Sequence, residues 1–275
     1  MTISNAFWKM SQFKGSPVEN IIIGDSRIYL LNEKYISEIA GEQYFNFGLP
    51  AGNCQSAIDI FWYCDKIIKL KNVVIGVSFH TYNAFVYYDL FSEINAIHSN
   101  PILYFNSRRV IRDSLYLFKK QYIDPLFTSS PAPVYKKKIR PLTISDSTFN
   151  EIWEKGIHHP FFNSYKYPER YYNEFKKISD HCKNNNINLT FVIFPNPIEL
   201  QKHIINLGLA DQRNKFKTDI RSFGILFDFD YENRITADKQ NYNDPLHVKT
   251  EISNQIIREI WGDTPGIARH YYPPR

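Results

Sequence analysis

Two short stretches at opposite ends of the sequence hold the residue types that acyl-transfer chemistry needs. Gly24-Asp25-Ser26-Arg27 closes a run of branched aliphatic residues, Ile21-Ile22-Ile23, and so puts a hydroxyl where a strand gives way to a helix. Backbone N–H groups and the helix dipole at such a junction favour negative charge, so an oxyanion forming beside Ser26 would be stabilised. Near the other end, Asn243-Asp244-Pro245-Leu246-His247 places a carboxylate and an imidazole in one loop. In that spacing Asp244 can orient His247. Ser26, His247 and Asp244 would then supply a nucleophile, a general base and an orienting carboxylate. Each stretch alone also has a plainer reading. Asp25 and Ser26 are ordinary helix N-cap residues, and an Asp-x-x-His spacing arises often by chance.

The elements that must bring these ends together are legible in the hydrophobic pattern. The strand read from the Ile21-Ile22-Ile23 run, which stops at Gly24-Asp25-Ser26, is followed by a helix expected over Arg27–Ala40, with Ile28, Leu31, Tyr35, Ile36 and Ile39 on one face. A second strand, Gln43–Phe47, runs into the breaker-rich turn Gly48-Leu49-Pro50-Ala51-Gly52-Asn53. The spacing predicts an amphipathic helix over Cys54–Leu70, and Asn72–Ser78 reads as a third strand, apolar throughout as in a parallel sheet covered on both faces. This β-α-β-α-β order implies right-handed crossovers in a doubly wound sheet. Regular structure resumes with a helix at Pro168–Asn184, a strand at Asn188–Phe194, helices at Ile198–Leu207 and Asp211–Phe223, and a last strand at Ile225–Phe229. A polar loop, Asp230–Pro245, leads to a final helix, Val248–Trp261, and an extended tail. In such a sheet, loops at the carboxyl ends of strands converge on one crevice, so the turn after the first strand and the loop after the last can meet.

The expected fold class is a three-layer α/β/α sandwich with a mostly parallel central sheet, one domain over residues 1–275 with an insertion of helices and loops at 84–165. Within that insertion, helical pieces are expected at Ala84–Ala96 and Ser107–Lys120, ahead of a Pro-rich basic stretch, Pro125–Pro141. These are the kinds of segment from which lids and substrate-binding elements are made. His158-His159 reads as a surface or packing pair, because adjacent loop histidines without a third ligand hold metals poorly. Asp228 and Asp230 read as capping or solvated loop residues, with metal binding as the alternative.

Composition removes several function classes. A hydrophobic content of 43% over 275 residues supports a sizeable core and excludes a disordered or fibrous chain. The net charge of +5 is mild, and its densest run, Lys136-Lys137-Lys138-Ile139-Arg140, lacks any nucleic-acid motif, so no nucleic-acid partner is expected. The three cysteines, Cys54, Cys64 and Cys182, have no CxxC spacing and suggest neither a disulfide framework nor a zinc site. Gly24, Gly48 and Gly52 do not form GxGxxG, which argues against a dinucleotide cofactor. No basic start followed by an apolar run lies within Met1–Val18, and no stretch is long and apolar enough to span a bilayer. The expected location is therefore cytoplasmic as written, or periplasmic or extracellular if these residues are a piece of a longer protein.

Taken together, Gly24-Asp25-Ser26 near the start and Asp244-Pro245-Leu246-His247 near the end resemble the SGNH (GDSL-type) hydrolase superfamily. Between them, Asn46-Phe47-Gly48-Leu49-Pro50-Ala51-Gly52-Asn53 is similar to that family's Asn-x-Gly-x-x-Gly turn, with one extra residue. The resemblance implies an oxyanion hole made of the Ser26 N–H, the Gly52 N–H (Gly48 being the fallback that the extra residue creates) and a side chain after the third strand. The family's asparagine there is replaced in Ser78-Phe79-His80-Thr81-Tyr82-Asn83; His80 takes its place, with Asn83 as fallback. It also implies a flavodoxin-like fold, an acyl-enzyme mechanism and no metal or organic cofactor. The layout is most similar to bacterial envelope-polysaccharide O-acylation proteins. The expected activity is therefore that of a serine esterase or O-acyltransferase on acylated sugars, polysaccharide or small esters, with membrane-associated assembly partners. The alternative is a catalytically silent member that binds glycan or a partner protein.

Overall fold

The computed structural model describes residues 3–87, 89, 94, 100–106, 111, 115, 146–160, 163–262, 264 and 266–273. Helix α1 (Ile3–Gly15) precedes β1 (Asn20–Gly24), α2 (Ser26–Tyr29), α3 (Glu33–Ala40), β2 (Tyr44–Gly48), α4 (Cys54–Asp65) and β3 (Asn72–Val77). A short α5 (Pro101–Asn106) and α6 (Asp146–Ile157) follow, then α7 (Glu169–Asn185), β4 (Asn188–Ile193), α8 (Ile198–Asn206), α9 (Ala210–Phe223) and β5 (Ile225–Asp228). The chain closes with the hairpin β6 (Tyr242–Asp244) and β7 (His247–Val248), α10 (Thr250–Trp261) and β8 (Arg269–Tyr271).

The main sheet has the order β2-β1-β3-β4-β5-β8; the first five strands are parallel and β8 pairs antiparallel with β5. This is the doubly wound order with its switch point beside β1, the place where open α/β sheets build their crevice. Alternate residues of the strands feed two cores. Ile21, Ile23, Val73, Ile75, Phe191 and Ile193 meet α1, α4, α7 and α9 on one face. Ile22, Val74 and Val192 meet α2, α3 and α10 on the other. Burial on both faces explains why the strands read as unbroken apolar runs. The three-layer α/β fold with a mostly parallel sheet is thus the one the sequence pattern implies.

At their amino ends, three neighbouring parallel strands each begin with an asparagine, in register: Asn20 opposite Asn72, and Asn72 opposite Asn188. Asn188 Nδ2 donates to Asn72 Oδ1 at 2.8 Å, Asn72 Nδ2 to Asn20 Oδ1 at 2.7 Å, and Asn20 Nδ2 to the Gln43 carbonyl at 2.9 Å. At the other end, β1 and β2 close on glycines, and β3 carries Gly76 one residue before its end. A Cβ on Gly24 or Gly76 would lie 2.6 or 2.4 Å from Ile28 Cγ1, and one on Gly48 would lie 2.2 Å from Tyr29 N. The absence of side chains there lets α2 settle directly on the sheet.

Several expectations change. The helix expected over Arg27–Ala40 is two helices, α2 and α3. Asn46 Nδ2 donates to the carbonyls of Ile28 (2.8 Å) and Leu31 (3.2 Å), taking acceptors that a continuous helix would use itself. Asn32 Oδ1 then accepts from Tyr35 N–H at 3.2 Å and starts α3. Helix α4 stops at Asp65 instead of Leu70, where Cys64 O accepts from both Ile67 and Ile68 N–H. Asp230–Pro245 is not all loop, since it contains a 3-10 turn and β6. The tail pairs as β8, an extra strand. Asp228 and Asp230 are not solvated: both are buried, and they pair with Lys217 and Arg213 at 2.8 and 2.9 Å. Most of the helical pieces expected at Ala84–Ala96 and Ser107–Lys120, and all of Pro125–Pro141, lie outside the described residues; Ala84 and Phe85 lie in a turn.

Candidate active site

Asp25 is the N-cap of α2: its Oδ1 accepts from Arg27 N–H at 2.9 Å. The capping reading thus describes Asp25 and not Ser26. The Ser26 hydroxyl instead lies 2.7 Å from His247 Nε2. Asp25 is also held in a buried ion pair with Arg27 Nη2 at 2.6 Å. Burial alone would raise the Asp25 carboxyl, but the Arg27 guanidinium outweighs it and holds it below the ordinary carboxylate value. The pair fixes the turn that aims Ser26. Arg27 Nη1 is buried with no hydrogen-bond partner among the described residues.

His247 is held by the β6–β7 hairpin, in which Asp244 stands opposite it. Asp244 Oδ1 accepts from Leu246 N–H at 2.9 Å and His247 N–H at 3.1 Å, so the carboxylate shapes its own turn. His247 Nδ1 lies 2.9 and 2.8 Å from the two Asp244 oxygens. An ionised carboxylate only accepts, so Nδ1 carries the proton and the Nε2 lone pair faces the Ser26 hydroxyl. Burial pushes the Asp244 carboxyl up, yet the hydrogen bond and charge of His247 and the two backbone N–H groups bring it below its ordinary value. The three side chains named from the sequence, 221 residues apart at their extremes, are therefore joined by hydrogen bonds.

The other expected site residues fare differently. Ser26 is the first residue of α2, so its N–H is one of those at the helix start that enter no intrahelical bond. Gly52 is packed against the Gly24–Ser26 turn: a Cβ there would lie 2.9 Å from Gly24 O and 3.2 Å from Asp25 Cα. Its N–H, however, donates to Leu49 O at 2.9 Å, within the turn itself. Ala51, just before it, sits at φ 55°, a left-handed backbone that a residue with a Cβ adopts at a cost of about 1–2 kcal/mol. Gly48 is spent on structure, with its N–H donating to Asn46 Oδ1 at 2.7 Å. Asn83 is likewise committed: its Nδ2 donates to Ser164 O at 2.8 Å and its Oδ1 accepts from Phe85 and Lys166 N–H. His80 lies within the electrostatic reach of Asp25, Arg27, His159 and His247. Burial, and then the Arg27 charge, push its imidazole down to about 3, so it is neutral and protonated on one ring nitrogen.

Three contributors carried no recognisable signal in the sequence. Gly156 of α6 touches the loop that carries Asp244 and His247, and a Cβ there would fall 2.6 Å from Pro245 Cγ. Trp153, on the same helix, packs edge-on against Tyr242 of β6 with centroids 5.9 Å apart. Lys9 of α1 donates to the carbonyls of Asn46 and Gly48, tying down the edge strand that feeds the Gly48–Asn53 turn. The cysteines are plain core: Cys54, Cys64 and Cys182 are buried, and burial pushes the Cys54 thiol up to about 12. His158 and His159 are exposed. Among the described residues no group of three or more His, Cys, Asp or Glu is disposed to hold a metal, and no helix is long and apolar enough to cross a membrane.

Fold and side chains define a doubly wound α/β protein with a serine, a histidine and an aspartate hydrogen-bonded in series at the carboxyl ends of its strands. Neither a protein-family model nor a curated protein matches the chain. Among solved structures, it is similar to a candidate platelet activating factor from Streptococcus pneumoniae, at 9% identity and a TM-score of 0.44, covering 94% of this chain and 91% of that one. It is also similar to a candidate acylhydrolase from Bacteroides fragilis, at 8% identity and a TM-score of 0.42, covering 92% of this chain and 96% of that one. Similarity at this level leaves the chemistry to be argued from the side chains.

Proposed function

We propose that this chain is a serine esterase or O-acyltransferase of the SGNH type, acting through an acyl-enzyme on acylated sugars or polysaccharide. The observation that carries the reading is the 2.7 Å contact between Ser26 Oγ and His247 Nε2, with Asp244 2.8 Å from the far ring nitrogen. In the first half-reaction Ser26 Oγ attacks the ester carbonyl carbon and passes its proton to His247 Nε2. Asp244 stabilises the imidazolium. The tetrahedral oxyanion is met by the Ser26 N–H and the neutral His80; the Gly52 N–H joins them on exchanging its Leu49 bond for the oxyanion. Collapse breaks the ester C–O bond, and the leaving alcohol takes the proton from His247. Water or a sugar hydroxyl then gives its proton to His247 and attacks the acyl carbon; the Ser26 Oγ–acyl bond breaks, and Ser26 Oγ takes the proton back from His247. No step calls for a metal or organic cofactor. Membrane-associated polysaccharide assembly proteins would supply the acceptor.

The test is Ser26→Ala in a p-nitrophenyl acetate assay, with circular dichroism to confirm an intact fold. Loss of turnover is expected; undiminished turnover refutes the mechanism. One observation favours a second reading, a silent glycan- or partner-binding protein: the Gly52 N–H and the Asn83 side chain are both engaged elsewhere. A fluorophosphonate probe separates the two, because it labels an activated Ser26 and leaves an unactivated one untouched.

A further inference from the structure

The edge of the sheet formed by β5 and β8 carries a second concavity, a pocket of about 280 Å³. It lies three strand spacings from β1, about 14 Å across the sheet. Nothing in the acyl-transfer mechanism uses it. Four cationic side chains line it, and they fall into two kinds. Arg213 and Lys217 of α9 are committed to the pocket floor. Arg213 Nη2 pairs with Asp230 at 2.9 Å and Lys217 with Asp228 at 2.8 Å, and both carboxylates are at least 96% removed from solvent. Arg221 and Arg269 have no carboxylate partner among the described residues. Each guanidinium lies over a tyrosine ring instead: Arg221 over Tyr271 at 5.1 Å and Arg269 over Tyr231 at 4.0 Å. Beyond that, Arg221 Nη2 donates to Thr218 Oγ1 at 2.8 Å.

Stacking fixes the plane of a guanidinium but uses none of its in-plane N–H donors. The pocket therefore has a rigid neutral floor, an excess of two positive charges, and two restrained guanidiniums whose remaining donors await an acceptor. A carboxylate is satisfied by one such fork. A phosphate dianion has the oxygens to fill both and the charge to match the excess. The geometry points to this pocket as a binding site for a phosphate group, held between Arg221 and Arg269. The volume beside them, with Asn214 on its wall, leaves room for the body of a small phosphorylated molecule such as a sugar phosphate.

Calorimetric titration of the whole chain at low ionic strength tests this, with inorganic phosphate, glucose 1-phosphate and acetate as separate probes. Saturable one-site binding of both phosphates is expected, with acetate at least about tenfold weaker. Tighter binding of glucose 1-phosphate than of inorganic phosphate identifies a phosphorylated metabolite as the occupant; the reverse order identifies the free ion. Arg221→Gln and Arg269→Gln should each weaken phosphate binding by about tenfold or more, the scale of one lost charge-assisted contact. Arg269→Lys keeps the charge but not the fork and should fall between, which also serves if a Gln variant fails to fold. Ser26→Ala should bind phosphate as the unaltered chain does, so this result stands apart from that of the esterase assay. The assignment is overturned by an absence of saturable phosphate binding, by binding that survives both Gln substitutions, or by acetate binding as well as phosphate.

Discussion

Gly156→Ala is the substitution by which the brace between α6 and the Asp244–His247 loop is best tested. Its Cβ would stand 2.6 Å from Pro245 Cγ and 2.9 Å from Pro245 Cδ. Carbon atoms settle at about 3.5–4.0 Å, so the proline ring must retreat by about 1 Å. Pro245 lies between Asp244 and His247, and its retreat is handed to the hairpin that holds both. In stability two effects oppose each other. Alanine gains about 0.8–1.0 kcal/mol over glycine inside a helix, whereas overpacking costs about 1–3 kcal/mol. The net loss should stay below about 2 kcal/mol, a fall of a few degrees in Tm. A misplacement of about 1 Å at a catalytic group can cost about 10²-fold in rate. The expected outcome is a 10- to 100-fold fall in kcat/KM for p-nitrophenyl acetate with the fold retained. The proton resonance of His247 Nδ1–H should also shift, a readout that needs no turnover. Pairing the change with Pro245→Ala should restore part of both, since the two substitutions couple through one contact. A Gly156→Ala variant with unchanged kcat/KM and an unmoved His247 resonance would refute the reasoning.

Four further outcomes are expected. His80→Ala should lower kcat by about 10²–10³ with little change in KM, as loss of one oxyanion donor does; steady-state kinetics separate the two. Asp25→Ala leaves the Arg27 guanidinium buried and unpaired and should cost about 3–5 kcal/mol in denaturant unfolding. Lys9→Met leaves two edge-strand carbonyls without their donor, for a loss of about 1–3 kcal/mol by the same measurement. Acid should destabilise in two windows. His80 has its imidazole lowered from 6.5 to about 3, so its contribution is complete above pH 6.5 and declines as pH falls toward 3; a His80→Gln variant should lose that slope of Tm against pH. Asp25, Asp230 and Asp244 are held below 3.8, so their contribution persists above that pH and is lost beneath it.

Local patterns carried most of the architecture because strands buried on both faces leave unbroken apolar runs, as Ile21-Ile22-Ile23 and Val73-Val74-Ile75 do. The Ser26, Asp244 and His247 grouping was legible because a doubly wound sheet gathers its loops at one end. What escaped depends on partners distant in sequence. The break between α2 and α3 depends on the side chain of Asn46, which periodicity within 27–40 cannot report. The three-residue β8 is too short for a pattern and exists through its pairing with β5. Gly156 reads as a weak spot in a helix until Pro245 is set against it. Gly52 was chosen by its place in a motif, and its N–H turns inward to Leu49, a choice made by the left-handed Ala51 beside it.

The asparagine row at the foot of the sheet has a bearing on how such a molecule can change. With β1, β3 and β4 starting level, the height at which each delivers its loop depends only on how many residues it spends on the climb: five, six and six. A residue added to β1 above Asn20 would lift Ser26 by about 3.3 Å and turn every later side chain to the opposite layer. A change in the loops themselves meets no such penalty. Diversification is thereby channelled to the rim, while the datum from which the rim is measured stays put.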